Sequence, residues 1–331
     1  MSATATNLGI EREGLPARLS RIVGWTMLGL LTAFLINNVL VVGYGFGGLR
    51  AGTAGGMGFW VPVAIYGAMI AAAVLYVLST PTQALRWDAM RIHDFNVFFI
   101  RFLFWAVLLV GIADCTVALM RVEKILLDTI GDDGMRNLGK ASWVATRIHF
   151  PLIGVAFVVA LFTRTLGFLW LALLIVAAEL MIVISRFVFS YEQALMGDLV
   201  RYWYAALFLF ASAYTLFEDG HVRVDVLYAG FGTSKRGFVN AFGAIAFGMS
   251  TCWVIIILGF NGKQSMINSP VMNFEVSQQG SVGMFVKYQM ALFLGLFAIT
   301  MLIQFVSYFF EAVADRRGEP GHREAAASAA H

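Results

Sequence analysis

One almost unbroken apolar stretch, residues 150–189, constrains the fold more than any other part of the sequence. As a single helix, about 40 residues would measure about 60 Å, twice the roughly 30 Å hydrocarbon thickness of a bilayer. A turn must therefore divide the stretch into two membrane-spanning helices. Residues 163–167 combine two threonines, an arginine and a glycine, and they are the best candidate for that turn.

The composition of the whole chain supports a membrane location. Of its 331 residues, 60% are hydrophobic and 13% are charged, whereas soluble domains carry about 25% charged residues. A chain with so little polar surface needs lipid to cover it. The net charge of +3 is too small to indicate nucleic-acid binding.

Eight apolar runs are long enough to cross a bilayer as helices. We therefore predict an all-α integral membrane protein with about eight transmembrane helices, at residues 22–43, 59–79, 96–119, 143–162, 166–189, 198–217, 238–260 and 281–310. An even number of spans leaves both termini on one side. Lysine and arginine are more frequent in the segments on that side, so the positive-inside rule predicts that both termini are cytoplasmic.

No motif in the sequence indicates catalysis. Walker A, Gly-x-Ser-x-Gly and His-Glu-x-x-His sequences do not occur, so ATP hydrolysis, acyl transfer and metalloprotease chemistry are not expected. Cys115 and Cys252 lie inside apolar runs without a Cys-x-x-Cys pair, which argues against a disulfide framework or a zinc site. We expect neither enzyme activity nor a bound cofactor.

The segment 184–225 carries the most informative pattern in the chain. It begins with ISRFVF at 184–189, continues with Asp198 and Arg201-Tyr202 at the start of the sixth run, and ends with GHVRVD at 220–225. These three features resemble the small membrane subunit of tripartite ATP-independent periplasmic (TRAP) transporters, the DctQ-type permease. The resemblance extends by topology over roughly residues 165–313.

This resemblance implies a transporter subunit of the bacterial inner membrane that acts as a scaffold. In that family a large permease subunit carries the substrate and sodium sites, and a periplasmic binding protein delivers the solute, typically a carboxylate. The chain would then divide into a polar cytoplasmic N-terminus (1–20), a four-span extension (21–163), a DctQ-like four-helix domain (164–313) and a disordered cytoplasmic tail (314–331).

The same resemblance marks six polar residues as candidates for contact with a partner subunit or with lipid: Arg186, Asp198, Arg201, His221, Arg223 and Asp225. Arg186 either reaches the membrane interface or forms a salt bridge, for which Asp198 is a candidate partner. Residues 222–238 suit an amphipathic segment that lies parallel to the membrane plane, beside anionic phospholipid headgroups. A polar loop is the alternative for this segment.

Two acidic residues lie inside apolar runs, Asp114 near the end of the third and Glu179 near the middle of the fifth. An ionisable group inside a span must be protonated, paired, or turned towards protein. We expect an interfacial position for Asp114. For Glu179 we expect a structural hydrogen bond, because the fifth run offers no titratable neighbours for a proton relay.

A membrane anchor of a redox complex is the alternative function. Histidines on facing helices can hold a haem iron, and the chain has His93, His149 and His221 as candidates. Only His149 lies next to a span, so the sequence gives this alternative little support.

Overall fold

A computed structural model describes residues 15–125, 127–218, 228–276 and 282–322. Within these ranges the regular secondary structure is helical, with no β-strand. In chain order the α-helices are α1 (Leu15–Tyr44), α2 (Met57–Ser79), α3 (Leu85–Glu123), α4 (Leu127–Leu138), α5 (Ala141–Val144), α6 (Phe150–Phe162), α7 (Phe168–Val188), α8 (Ala194–Phe217), α9 (Thr233–Gly243), α10 (Ser250–Gly259), α11 (Asn268–Met272) and α12 (Lys287–Arg316).

Eight helical runs in the described residues are long and apolar enough to cross a membrane, which confirms the predicted all-α fold with eight spans. Six of them are single α-helices, namely α1, α2, α3, α7, α8 and α12. The other two contain a π-helical turn. Ala145–His149 joins α5 to α6, and Ala244–Met249 joins α9 to α10.

The turn predicted inside the long apolar stretch is confirmed. The fourth span ends at Phe162 and α7 begins at Phe168. Gly167 has a φ of 74°, a left-handed conformation that costs a residue with a side chain about 1–2 kcal/mol. A Cβ at this position would also collide with the ring of Phe104. Glycine therefore allows the chain to reverse between the fourth and fifth spans.

The third span begins earlier than predicted, because a buried ion pair keeps its charged first turns helical. Arg21 Nε donates to Asp88 Oδ2 at 2.6 Å, and the two side chains are 3% and 0% exposed. Trp25 Nε1 donates to the same oxygen at 3.2 Å, and Arg21 Nη1 donates to the carbonyl of Thr80 at 2.5 Å. This cluster joins the start of α1, the end of α2 and the start of α3.

The prediction of a disordered tail from residue 314 was wrong for its first part. α12 continues to Arg316, and Arg86 binds it through Glu311 at 2.5 Å and Asp315 at 2.6 Å. Arg86 also donates to the carbonyls of Glu319 and Pro320. These bonds hold the chain beyond the end of the helix, and residues 323–331 lie outside the described ranges.

The interfacial segment predicted at 222–238 is only partly described, since 219–227 lie outside the described residues. Residues 233–238 form the first turns of α9, which runs through the π turn into α10. They begin the seventh span, so the prediction of a separate segment parallel to the membrane was wrong here. Gly237 lies so close to the backbone of α12 at Ala312 and Arg316 that a Cβ would not fit, and this packing favours a continuous helix.

Two compact units, neither continuous in sequence, make up the fold. One contains residues 1–93, 222–250 and 305–331, and the other contains 94–221 and 251–304. Both draw helices from each side of residue 164, so the predicted segments 21–163 and 164–313 are not separate packing units. The second unit has an apolar core to which α3, α7, α8 and α12 contribute; its members include Phe104, Leu171, Tyr202, Phe210 and Phe293.

Candidate functional site

The start of α12 is held by two buried carboxylates of the second unit. The backbone N–H of Met284 donates to Asp198 Oδ2 at 3.1 Å, and that of Phe285 donates to Asp114 Oδ2 at 2.6 Å. Met284 and Phe285 lie just before Lys287, the first residue of α12, and the helix dipole favours negative charge near this end. Both aspartates therefore stabilise the N-terminal end of α12.

A chain of polar side chains continues from Asp114 into the protein. His149, which is 0% exposed, has Nε2 3.3 Å from Asp114 Oδ1. The two atoms are close, but they do not meet hydrogen-bond geometry. On the other side of the ring, Nδ1 lies 2.9 Å from the hydroxyl of Tyr288.

Gln289 and Tyr202 complete this network. Gln289 Nε2 donates to the hydroxyl of Tyr288 at 2.9 Å, and the hydroxyl of Tyr202 donates to Gln289 Oε1. All six side chains are buried, and buried hydrogen bonds of this kind hold together the helices that contribute them. Asp114 Oδ1 and His149 Nε2 are the members of the network without a hydrogen bond among the described residues. We use the name polar junction for Asp114, His149, Asp198, Tyr202, Tyr288 and Gln289.

The π turn that ends at His149 explains how this histidine reaches the junction. Pro151 follows two residues later, and proline lacks an N–H and clashes with the carbonyl four residues before it. The helix contains a wider turn just before Pro151, in which the N–H of Phe150 donates to the carbonyl of Ala145 five residues back. Single π turns of this kind frequently occur at functional sites.

Two arginines flank the polar junction. Arg121 Nη2 donates to the carbonyl of Gly283 at 2.7 Å, and its guanidinium lies 3.9 Å from the centre of the Phe285 ring. Arg201 Nη1 lies 3.7 Å from Asp198 Oδ1, and its side chain is 56% exposed. Arg121 therefore holds the loop before α12, whereas the exposed Arg201 pair contributes little stability.

The structure brings together only some of the residues singled out from the sequence. Asp198 and Arg201 lie at the start of α8 as expected. Asp114 is 0% exposed and accepts a hydrogen bond within the chain, while its position at the membrane interface stays a prediction. Arg186 pairs with Glu192 at 3.4 Å rather than with the suggested Asp198, because Glu192 lies in the adjoining loop.

Three further candidates, His221, Arg223 and Asp225, lie outside the described residues.

Glu179 also differs from expectation. It is exposed on α7, and within the described part of the chain it makes no hydrogen bond or ion pair. The predicted structural hydrogen bond is therefore not formed with any of those residues. Glu179 lies on the face of α7 that does not pack on the core of the second unit.

Sequence reasoning missed several members of the polar junction. His149 was considered only as a haem ligand, and Tyr288 and Gln289 were taken as part of an apolar run. A signal was present in the sequence, since Lys287, Tyr288 and Gln289 are three polar residues in succession at the start of a span. The partner of Tyr288 is His149, 139 positions away, and that of Gln289 is Tyr202, 87 positions away. No local pattern identifies such distant partners.

The described residues contain no group of three or more His, Cys, Asp or Glu side chains placed to hold a metal ion. Both ring nitrogens of His149 already face side chains of this chain, Asp114 and Tyr288. Ligation of a haem iron by His149 would disrupt the junction, so the geometry does not favour the redox-anchor alternative.

Comparison with protein families gives one match. Residues 173–313 match the family described as tripartite ATP-independent periplasmic transporters, DctQ component. This part of the chain is therefore similar to the DctQ component. The DctQ family supplies the small permease subunit of TRAP transporters, which works with a large permease subunit and a periplasmic binding protein, and it is a transporter component rather than an enzyme family. Comparison with curated proteins and with solved structures gave no match.

The DctQ match separates the polar junction into two contributions. Asp198, Tyr202, Tyr288 and Gln289 lie within the matched residues, whereas Asp114, Arg121 and His149 come from helices that precede them. The additional N-terminal helices therefore supply the carboxylate and the imidazole that meet the last DctQ helix.

Proposed function

We propose that this chain is the small permease subunit that steadies a large permease subunit during sodium-coupled uptake of a carboxylate-type solute delivered by a periplasmic binding protein. The match of residues 173–313 to the DctQ component carries the proposal. The buried polar junction supports it, because a scaffold needs helices that keep their positions while a partner moves.

We assign the substrate and sodium sites to the large permease. Secondary transporters form such sites at mid-membrane from unwound helices. In the described residues each of the eight spans remains helical along its whole length, apart from the two π turns. This regularity favours a supporting role over a transporting one.

For the N-terminal extension, residues 21–163, we propose a bracing role. It supplies Asp114, Arg121 and His149 to the start of α12, the last span of the DctQ region. A DctQ region of four spans alone would leave the N–H of Phe285 without this carboxylate. The extension therefore contributes to the stability of the scaffold.

We propose the bacterial inner membrane as the location, with both termini in the cytoplasm. The distribution of lysine and arginine supports this orientation. The start of α1, the loop between α2 and α3 and the end of α12 share the first unit, which agrees with an even number of spans.

Membrane phospholipid is the further partner that we propose. A groove of about 460 Å³ in the first unit is lined by apolar side chains of α9 and α12, with the exposed Arg316 at its edge. The guanidinium of Arg316 lies 4.9 Å from the centre of the Phe238 ring, which is half exposed. Such a groove suits an acyl chain, and the arginine suits an anionic headgroup.

Reconstitution tests the proposed function. A TRAP large permease from the same organism is placed in liposomes with or without the chain. A periplasmic binding protein for that permease is added with a labelled carboxylate that it binds, and an inward sodium gradient is imposed. Uptake is expected only with this chain present, and replacement of sodium by potassium should abolish it. Equal uptake without the chain would refute the proposal. A reduced-minus-oxidised absorbance signal from the purified chain would instead favour the redox anchor.

A further inference from the structure

The fifth span, α7, is the least enclosed of the eight. In its most apolar stretch 6% of the residues are buried within the chain, against 56% in α12. One face packs on the core of the second unit through Leu171, Leu174 and Ile175. The opposite face remains open along the whole helix.

Glu179 lies on this open face, near the middle of the 21-residue helix. Its neighbours one turn before and after, Val176 and Val183, are 65% and 48% exposed, and Leu180 is 58% exposed. Residues three and four apart share one side of a helix. Glu179 is thus the single carboxylate within an otherwise apolar surface patch, which we name the Glu179 face.

Lipid acyl chains alone cannot provide a hydrogen-bond partner for the carboxyl group on the Glu179 face. Aliphatic side chains of the Glu179 face can contact acyl chains without cost, but a carboxyl group there lacks any hydrogen-bond partner. Along the helix axis, Glu179 is about 17 Å from the start of α7 and about 14 Å from its end. A glutamate side chain is too short to reach the polar headgroups over that distance, whereas lysine and arginine can do so near helix ends.

We propose that the Glu179 face is the surface on which the large permease docks, through a spanning helix that presents a lysine, an arginine or another hydrogen-bond donor to Glu179. Polar side chains hold spanning helices together, because apolar contacts alone do not distinguish a neighbouring helix from lipid. This inference rests on the proposed function, since it names the surface that the partner uses.

The chemistry of the partner follows from that of the patch. The donor lies at mid-membrane depth, level with Glu179, and is flanked by residues that pack against Val176, Leu180 and Val183. A donor at a helix end would be too distant, since the carboxyl group cannot move along the helix. The large permease therefore carries one buried donor on an otherwise apolar helix face.

Co-purification with variants tests the docking surface. The full chain is tagged and expressed with the large permease as wild type, Glu179→Leu, Glu179→Gln, and the double variant Glu179→Leu/Leu180→Glu. The double variant keeps the composition of the helix but rotates the carboxylate by about 100° around its axis. Glu192→Gln is the matched control, because Glu192 is an exposed carboxylate in the loop after α7.

We expect Glu179→Leu and the double variant to bind the large permease about 3- to 30-fold more weakly, the range for loss of one interhelical hydrogen bond. Glu179→Gln should retain part of the binding, since an amide still accepts a hydrogen bond, and Glu192→Gln should bind as the wild type does. Wild-type binding by all four variants would overturn the inference. If the wild type itself recovers no large permease, the proposed function fails instead.

Photo-crosslinking from position 176 identifies the occupant directly. A photoreactive residue at Val176 should form an adduct with the large permease. An adduct only with a second copy of this chain, or only with lipid, would overturn the inference even if co-purification succeeds.

Discussion

Two carboxylates inside the spans of this chain, Asp114 and Glu179, have opposite surroundings. Asp114 on α3 is fully buried, accepts the N–H of Phe285 and faces His149. Glu179 on α7 is exposed and has no partner among the described residues. Two acidic side chains in apolar helices therefore serve two purposes. One side chain holds the chain together, and the other is open to a neighbouring molecule.

The difference extends to the helices that carry them. α3 packs closely on α8, where Gly111 lies against the indole of Trp203, whereas α7 has only one packed face. Helices that are enclosed within the chain provide rigidity, and a helix with an open apolar face provides a surface. The scaffold role that we propose needs both.

Substitution of Asp114 is the strongest challenge to this comparison. Asp114→Leu should destabilise the isolated chain by about 1–3 kcal/mol, because it leaves the N–H of Phe285 buried without its acceptor. Asp114→Asn should recover part of the loss through its amide oxygen. Unfolding in detergent measures the effect. Asp133→Asn is the control, since Asp133 is 94% exposed, and an equal loss for both aspartates would contradict a special role for Asp114.

Two glycines sharpen the contrast between enclosed and open helix faces. A Cβ at Gly111 would collide with Trp203, so Gly111→Ala should cost about 1–3 kcal/mol. Gly154 on α6 has open space around it, so Gly154→Ala should stabilise the helix by up to about 1 kcal/mol. Thermal unfolding of both variants measures the two changes in stability. Destabilisation by Gly154→Ala would contradict the open space around Gly154 on α6.

The groove beside Arg316 allows a smaller effect to be measured. One arginine near an anionic membrane surface is worth about 1 kcal/mol. Arg316→Gln should therefore lower the amount of anionic phospholipid retained by the purified chain about fivefold. Native mass spectrometry measures retention, with Arg136→Gln as the control because Arg136 is exposed on α4. Equal losses in both variants would assign the lipid to the general surface charge.

The smallest expected effect belongs to Glu179 in the isolated chain. Glu179→Leu should change the free energy of unfolding by less than about 0.5 kcal/mol, as is usual for exposed residues. The same variant should weaken binding to the large permease. A large loss of stability in the chain alone would mean that Glu179 has a partner within it, and the comparison with Asp114 would no longer hold.

Hydropathy alone predicts most of the fold, but not the polar junction. The eight spans and the turn at residues 163–167 follow from the length and composition of apolar runs. The partners of Asp114 do not, because Phe285 is 171 positions away and only the packing of α3 near α12 brings them together. The ordered part of the tail was missed for the same reason, since its polar residues bind Arg86 on a distant helix.

The most direct test is native mass spectrometry of this chain purified from cells that also express a TRAP large permease from the same organism. If the chain acts as the small permease subunit, a stable species with the combined mass of both subunits is expected. Recovery of this chain alone, with the large permease present in the same membranes, would contradict that conclusion.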